Sequence, residues 1–123
     1  MKFYHCRHCG NIITFIKNSG VMPICCLERM LELVPNTVDA SLEKHVPVYQ
    51  IDGQLLTVSV GSVLHPMTID HLIEWIMVET DQGRMRKVLK PDVAPTAVFE
   101  LLPTEKVTAI FAYCNLHGLW KTK

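Results

Sequence analysis

The residues best able to do chemistry in this 123-residue chain are its five cysteines and six histidines, and they fall into two groups. Four cysteines lie in the first 26 residues, as Cys6-x2-Cys9 followed after fifteen residues by the adjacent pair Cys25 and Cys26. A Cys-x2-Cys turn aims two sulfurs at one ion because its amides curl around the first thiolate, and Gly10 suits the tight return. Neighbours in an extended strand point in opposite directions, so Cys25 and Cys26 can share that ion only if the backbone kinks there. The set fits a structural zinc knuckle or a redox-active iron in a sulfur tetrahedron, and spacing leaves both open. His5 and His8 flank the first pair. Four thiolates already complete a shell, so these two read as surface histidines on a loop.

The second group is spread over the rest of the chain: His45, His65, His71, Cys114 and His117, each where a strand gives way to a loop. Four imidazoles and one thiolate make a borderline ligand set for iron or copper. Cys114-x2-His117 spans a strand end and a turn, so sulfur and imidazole can approach one ion from different directions while Gly118 releases the backbone. Five ligands leave one position of an octahedral metal open, the mark of a catalytic site. A thiolate opposite that position donates charge that favours reduction of an oxygen species and release of the product. Lys44, beside His45, would attract a small anion and could hold a water for proton delivery. Glu43 could swing onto the metal when it is oxidised and unoccupied; away from such a site a Glu-Lys pair is an ordinary solvated loop.

These residues need elements to hold them. The first 37 residues are too few to fold by apolar burial alone, so a metal bound by four thiolates supplies the staple. The stretch Leu33-Val-Pro-Asn-Thr-Val-Asp-Ala-Ser41 shows neither helical nor strand period and reads as a connector, which places a boundary near residue 37. Beyond it come short strand-like runs punctuated by turns. Val46–Ile51 leads into Asp52-Gly53, a hairpin signal, and Leu56, Val58 and Val60 alternate with Thr57 and Ser59. Ile73, Trp75 and Met77 alternate before Asp81-Gln82-Gly83, with Arg84–Leu89 as a return strand. Ala97, Phe99 and Leu101 line one face of another strand, and Val107–Cys114 is apolar on both faces, as a central strand is. Six or seven strands in this span predict a two-sheet sandwich.

Composition narrows the function classes. Twelve Lys and Arg balance twelve Asp and Glu, so no overall field recruits nucleic acid or an anionic membrane. The longest stretch without a charged residue, Gly53–Ile69, is broken by Gly61, His65 and Pro66 and is no membrane span. The start Met-Lys-Phe-Tyr-His-Cys carries no apolar signal region, so a cytoplasmic address is expected, where cysteines serve metals more than disulfides.

Taken together, Cys6-x2-Cys9-x15-Cys25-Cys26, Leu-Val-Pro-Asn-Thr, Glu43-Lys-His-Val-Pro47, His65-Pro-Met-Thr, Glu74-Trp-Ile76 and Cys114-Asn-Leu-His-Gly-Leu-Trp-Lys121 resemble the desulfoferrodoxins, the two-iron superoxide reductases. The resemblance spans nearly the whole chain. It implies a desulforedoxin-like iron domain over residues 1–37, with Cys6, Cys9, Cys25 and Cys26 as ligands, and an immunoglobulin-like catalytic β-sandwich over residues 38–123. It further implies a second iron with His45, His65, His71 and His117 around its equator and Cys114 axial. On the same footing, Lys44 assists superoxide, Glu43 caps the ferric ion, a rubredoxin-like carrier supplies electrons, and the protein is a homodimer. The implied activity is one-electron reduction of superoxide to hydrogen peroxide without dioxygen. The rival reading is a two-iron protein that only shuttles electrons. Leu27 stands where such proteins carry glycine, and Leu64 where proline is common; Trp75 and Trp120 read as packing residues.

Overall fold

The computed structural model describes residues 1–122; Lys123, the last residue of the expected C-terminal domain, lies outside them. Among the described residues no helix is long and apolar enough to cross a membrane. The chain separates into two compact units, Met1–Val34 and the remainder from Pro35 onward.

The first unit has five short strands: β1 (Phe3–His5), β2 (Ile12–Thr14), β3 (Ile24–Cys25), β4 (Glu28–Arg29) and β5 (Leu31–Leu33). β1 lies between β2 and β5 in an antiparallel sheet, and β3 pairs only with β4. Its buried apolar residues are Phe3, Tyr4, Cys6 and Met30, the last three forming a cluster against which Ile13, Phe15 and Cys25 pack. So few buried residues offset little of the chain entropy of ordering the unit, so a cross-link through the sulfurs would add substantially to its stability. The kink expected at the second cysteine pair is present. Cys26 and Leu27 are both left-handed, with φ of 51° and 63°, and they turn β3 back into β4. Leu27 gains nothing from this by packing, since its side chain is wholly exposed.

The second unit opens with a four-residue helical turn, α1 (Leu42–His45), followed by seven strands: β6 (Pro47–Asp52), β7 (Leu55–Val60), β8 (Ile73–Thr80), β9 (Arg84–Val88), β10 (Thr96–Glu100), β11 (Val107–Cys114) and β12 (Gly118–Lys121). They form two antiparallel sheets, in the orders β10-β7-β6 and β12-β11-β8-β9. The predicted hairpin turns at Gly53, whose φ of 60° allows Asp52 to pair with Leu55. Alternation along β7 and β10 buries Leu56, Val58, Val60, Ala97 and Phe99 against Ile76, Val78, Ile110, Ala112 and Trp120. β11 lies between β12 and β8, and its stretch Ala109–Ala112 is buried on both faces of the sheet.

One reading of a face is corrected. Ile73, Trp75 and Met77 do not share the core face: Ile73, Ile76 and Val78 are buried, while Trp75 and Met77 are half-buried on the opposite side. The cause is a register shift, in which Tyr113 pairs with Trp75 but Cys114 pairs with Ile73, so one extra residue reverses the alternation. Trp75 stacks flat on Tyr113, with 5.7 Å between ring centroids.

The pairings Pro47 with Val60, Ile73 with Cys114 and Cys114 with Gly118 bring α1, the 61–72 loop and the 115–117 turn to one end of the sandwich. All four histidines of the second group lie in or beside these segments.

A left-handed backbone is costly for leucine and free for glycine, by about 1 kcal/mol. Leu27→Gly should therefore raise the stability of the first unit by about that amount, measured as the guanidinium concentration at which the metal-loaded unit unfolds. An unchanged or lowered midpoint would show that the Cys26–Leu27 turn is unstrained.

Candidate metal centres

In the first unit, one sulfur from each of Cys6, Cys9, Cys25 and Cys26 lies within 4.8 Å of the other three. The Cys9 and Cys25 sulfurs are 3.6 Å apart, and those of Cys25 and Cys26 are 4.0 Å apart. Four thiolates about 2.3 Å from a shared tetrahedral ion are separated by about 3.8 Å, close to these two distances. The Cys-x2-Cys turn is built as its sequence suggests: the Cys9 amide donates to Cys6 Sγ at 3.5 Å and the Gly10 amide to the Cys6 carbonyl at 2.9 Å. The Cys9 backbone N–H does most to lower the Cys6 thiol to about 6, and the His8 N–H adds to it against the rise that burial causes. Cys26 moves the other way, to about 12, through hydrogen bonds with the Cys6, Cys9 and Cys25 sulfurs. Sulfurs packed this closely cannot all ionise until a cation joins them.

Neither His5 nor His8 belongs to this group. His8 instead contacts the Glu28 carboxylate, which Arg7 also holds at 2.5 Å, so the loop between the first cysteines is tied to β4. His5 ends β1 half-buried rather than sitting in a loop.

In the second unit, one donor atom from each of His45, His65, His71, Cys114 and His117 lies within 4.8 Å of the others. The tautomers of two of these imidazoles follow from their partners. A carbonyl oxygen only accepts, so His45 Nδ1 donates its proton to the Ser41 carbonyl at 2.6 Å, and His65 Nδ1 donates to the Pro66 carbonyl at 2.6 Å. Each neutral ring then carries its lone pair on Nε2, and these two lone pairs face one another at 3.2 Å. His45 Nε2 also lies 3.1 Å from His117 Nδ1. Donors about 2.1 Å from one ion at right angles sit about 3.0 Å apart, close to both distances. His71 Nε2 is shielded from solvent and has no hydrogen-bond partner among the described residues. A buried ring nitrogen without a partner is unfavourable by a few kcal/mol, and a metal ion bound to it would remove that cost.

Cys114 is fully buried, its sulfur 3.7 Å from His117 Nδ1. Burial raises its thiol above the ordinary value, and backbone N–H groups of His117 and Leu116 act against that rise. The same amides stabilise a thiolate once a cation neutralises it.

Three supports were not evident from residue spacing. Trp120 lies flat over the His45 ring, 4.7 Å between centroids and 29° between planes, and donates its Nε1–H to the His117 carbonyl at 3.1 Å. Expected to be a packing residue, it braces two members of the group. Asn115 accepts from the Leu72 amide at 3.0 Å and donates to the Asp70 carbonyl at 2.9 Å, fastening the loop of His71 to the turn of Cys114 and His117. Its place between two metal-binding residue types was the available signal. The carbonyls of Ser41 and Pro66 left none, because any residue supplies a carbonyl.

Glu43 and Lys44 project from α1 into solvent next to buried His45. Burial lowers the pKa of His45 against the Ser41 hydrogen bond, and His117, His71 and Lys44 lower it further. Burial brings His65 from 6.5 to about 4. In the metal-free protein the unfolded chain takes up protons that the folded one refuses between these values. Stability is therefore present above about 6.5 and is lost as the pH falls towards about 4, by on the order of 2–3 kcal/mol for His65. Urea unfolding of metal-free protein across that range should show the loss, whereas a flat profile would mean that His65 is hydrated in the folded state.

The desulfoferrodoxin family model matches residues 37–123. A desulfoferrodoxin homolog of Archaeoglobus fulgidus is 43% identical over 99% of this chain and 96% of its own. The desulfoferrodoxin of Nitratidesulfovibrio vulgaris is also 43% identical, over 99% of this chain and 95% of its own. Among solved structures, the superoxide reductase of Treponema pallidum superposes with a TM-score of 0.82 at 35% identity, covering 98% of both chains. Two donor clusters at metal-binding distances on these two units, together with relatives matched over nearly their full lengths, lead to one conclusion: the chain belongs to the desulfoferrodoxin family.

Proposed function

We propose that the protein is a superoxide reductase, with residues 38–123 as its catalytic domain and residues 1–37 as a desulforedoxin-like iron domain. The observation that carries this reading is the convergence of four imidazoles and one buried cysteine at one point, beside a turn that bears an exposed lysine. His45, His65, His71, His117 and Cys114 hold the catalytic iron, and Cys6, Cys9, Cys25 and Cys26 hold the other. Ferrous iron, when bound, supplies the single electron that takes superoxide to the peroxide level. Two protons complete hydrogen peroxide, and no dioxygen forms.

The chain's own residues do the rest. With no net charge on the whole molecule, attraction of the superoxide anion falls to the local field of Lys44. The Lys44 ammonium also donates the hydrogen bonds through which a proton reaches the departing peroxide. Glu43, one residue earlier on the same turn, would offer a carboxylate to the oxidised iron were it bound and unoccupied. Burial keeps His45 and His65 neutral at physiological pH, so their Nε2 lone pairs stay available. The buried sulfur of Cys114 supplies a soft negative donor away from solvent. A rubredoxin-like carrier returns the electron, and the protein works in the cytoplasm as a homodimer.

Anaerobic mixing of reduced protein with superoxide tests the reading. One peroxide per superoxide without dioxygen is expected; half as much peroxide with dioxygen would make the protein a dismutase. Lys44→Ala should retain both irons, react about tenfold more slowly and lose most of its dependence on ionic strength. An unchanged salt dependence in stopped-flow would remove Lys44 from the encounter.

A further inference from the structure

The turn that bears Glu43 and Lys44 is held in place from below. A side chain at Gly61 would put its Cβ 2.5 Å from the Glu43 carbonyl oxygen, 3.1 Å from its carbonyl carbon and 3.0 Å from the Val46 carbonyl oxygen. These are backbone atoms, which cannot swing aside as the tip of a side chain can. The two residues after Gly61 complete the seat. The Val63 amide donates to the Glu43 carbonyl at 3.0 Å and the Ser62 hydroxyl donates to the same oxygen at 3.2 Å. The segment is fixed in turn, because the Gly61 amide donates to the Val63 carbonyl at 3.3 Å and the His65 amide to the Val60 carbonyl at 2.8 Å. One short loop therefore grips the main chain beneath Glu43 and delivers His65 to the site.

We propose that Gly61, with the Ser62 and Val63 donors, is a positioning element: it sets the height of the Glu43–Lys44 turn over the site relative to His45 and His65. The inference rests on the superoxide reductase reading. Its mechanism is steric. A methyl group at position 61 pushes the Glu43 and Val46 carbonyls outward, loosens the Val63 and Ser62 hydrogen bonds, and carries the Lys44 ammonium away from where it meets the anion. The nine metal-binding residues themselves are unaltered.

The test uses the iron-loaded full chain carrying Gly61→Ala. It should keep both irons, while its reaction with superoxide slows about tenfold and the salt dependence flattens towards that of Lys44→Ala. A purely structural role would lower the unfolding midpoint and leave the salt dependence of the folded enzyme intact. Independently of activity, hydrogen exchange of the Val63 amide should accelerate about tenfold, while the Val60 amide, bonded to the Pro95 carbonyl at 2.9 Å, exchanges as before. Wild-type rate, salt dependence and Val63 exchange in Gly61→Ala would overturn the proposal. Should that variant fail to fold, Ser62→Ala decides: a twofold to threefold slowing with faster Val63 exchange is expected, and no change in either overturns it. If wild-type protein fails to reduce superoxide, the functional reading falls, and Val63 exchange still tests the seat.

Discussion

Two lone pairs facing one another inside a protein are the constraint around which the catalytic unit is arranged. His45 Nε2 and His65 Nε2 stand 3.2 Å apart, and neither can donate, because each ring has its proton on the far nitrogen, bound to a carbonyl. Without a cation this arrangement is repulsive, and with one it is a ready-made pair of adjacent ligands. Its rigidity comes from outside the rings: the Trp120 plane against His45, the Ser41 and Pro66 carbonyls, and the sheets that bring three loops to one end. Stability of the sandwich is thus held in tension with the electrostatics at its end. The apolar core of Leu56, Val58, Ile76, Ile110 and their neighbours must outweigh the repulsion that the metal later relieves.

The first unit meets the same demand with far less core. Four buried apolar residues, one of them the cysteine Cys6, leave little to hold the sulfurs together before a metal arrives. Here the cation contributes to folding outright, whereas the sandwich folds around its own interior and receives its ion into loops that are already placed.

Much of this was legible in the residues. Strand positions followed from alternation and from the Asp52-Gly53 turn, and both donor groups from residue type. The required kink at Cys25-Cys26 followed from the pleat of a strand and is met by two left-handed residues. What escaped notice has definite physical causes. The face of Trp75 depends on a bulge set by pairing with Tyr113 and Cys114, far away in sequence. The seat at Gly61 depends on a close approach of main chain to main chain, which no local pattern encodes. Imidazole orientation depends on carbonyls, which every residue possesses.

The sulfurs differ greatly in their access to solvent: Cys9 and Cys26 are exposed, while Cys114 is sealed within the sandwich. A protein that releases peroxide bathes itself in an oxidant of thiolates, and attack follows accessibility. Wear should therefore accumulate in the small unit first, as sulfenic acids and as disulfides between neighbouring sulfurs, while the donor nearest the chemistry is spared. The architecture thus directs early ageing towards the part whose sulfurs lie apart from the catalytic centre.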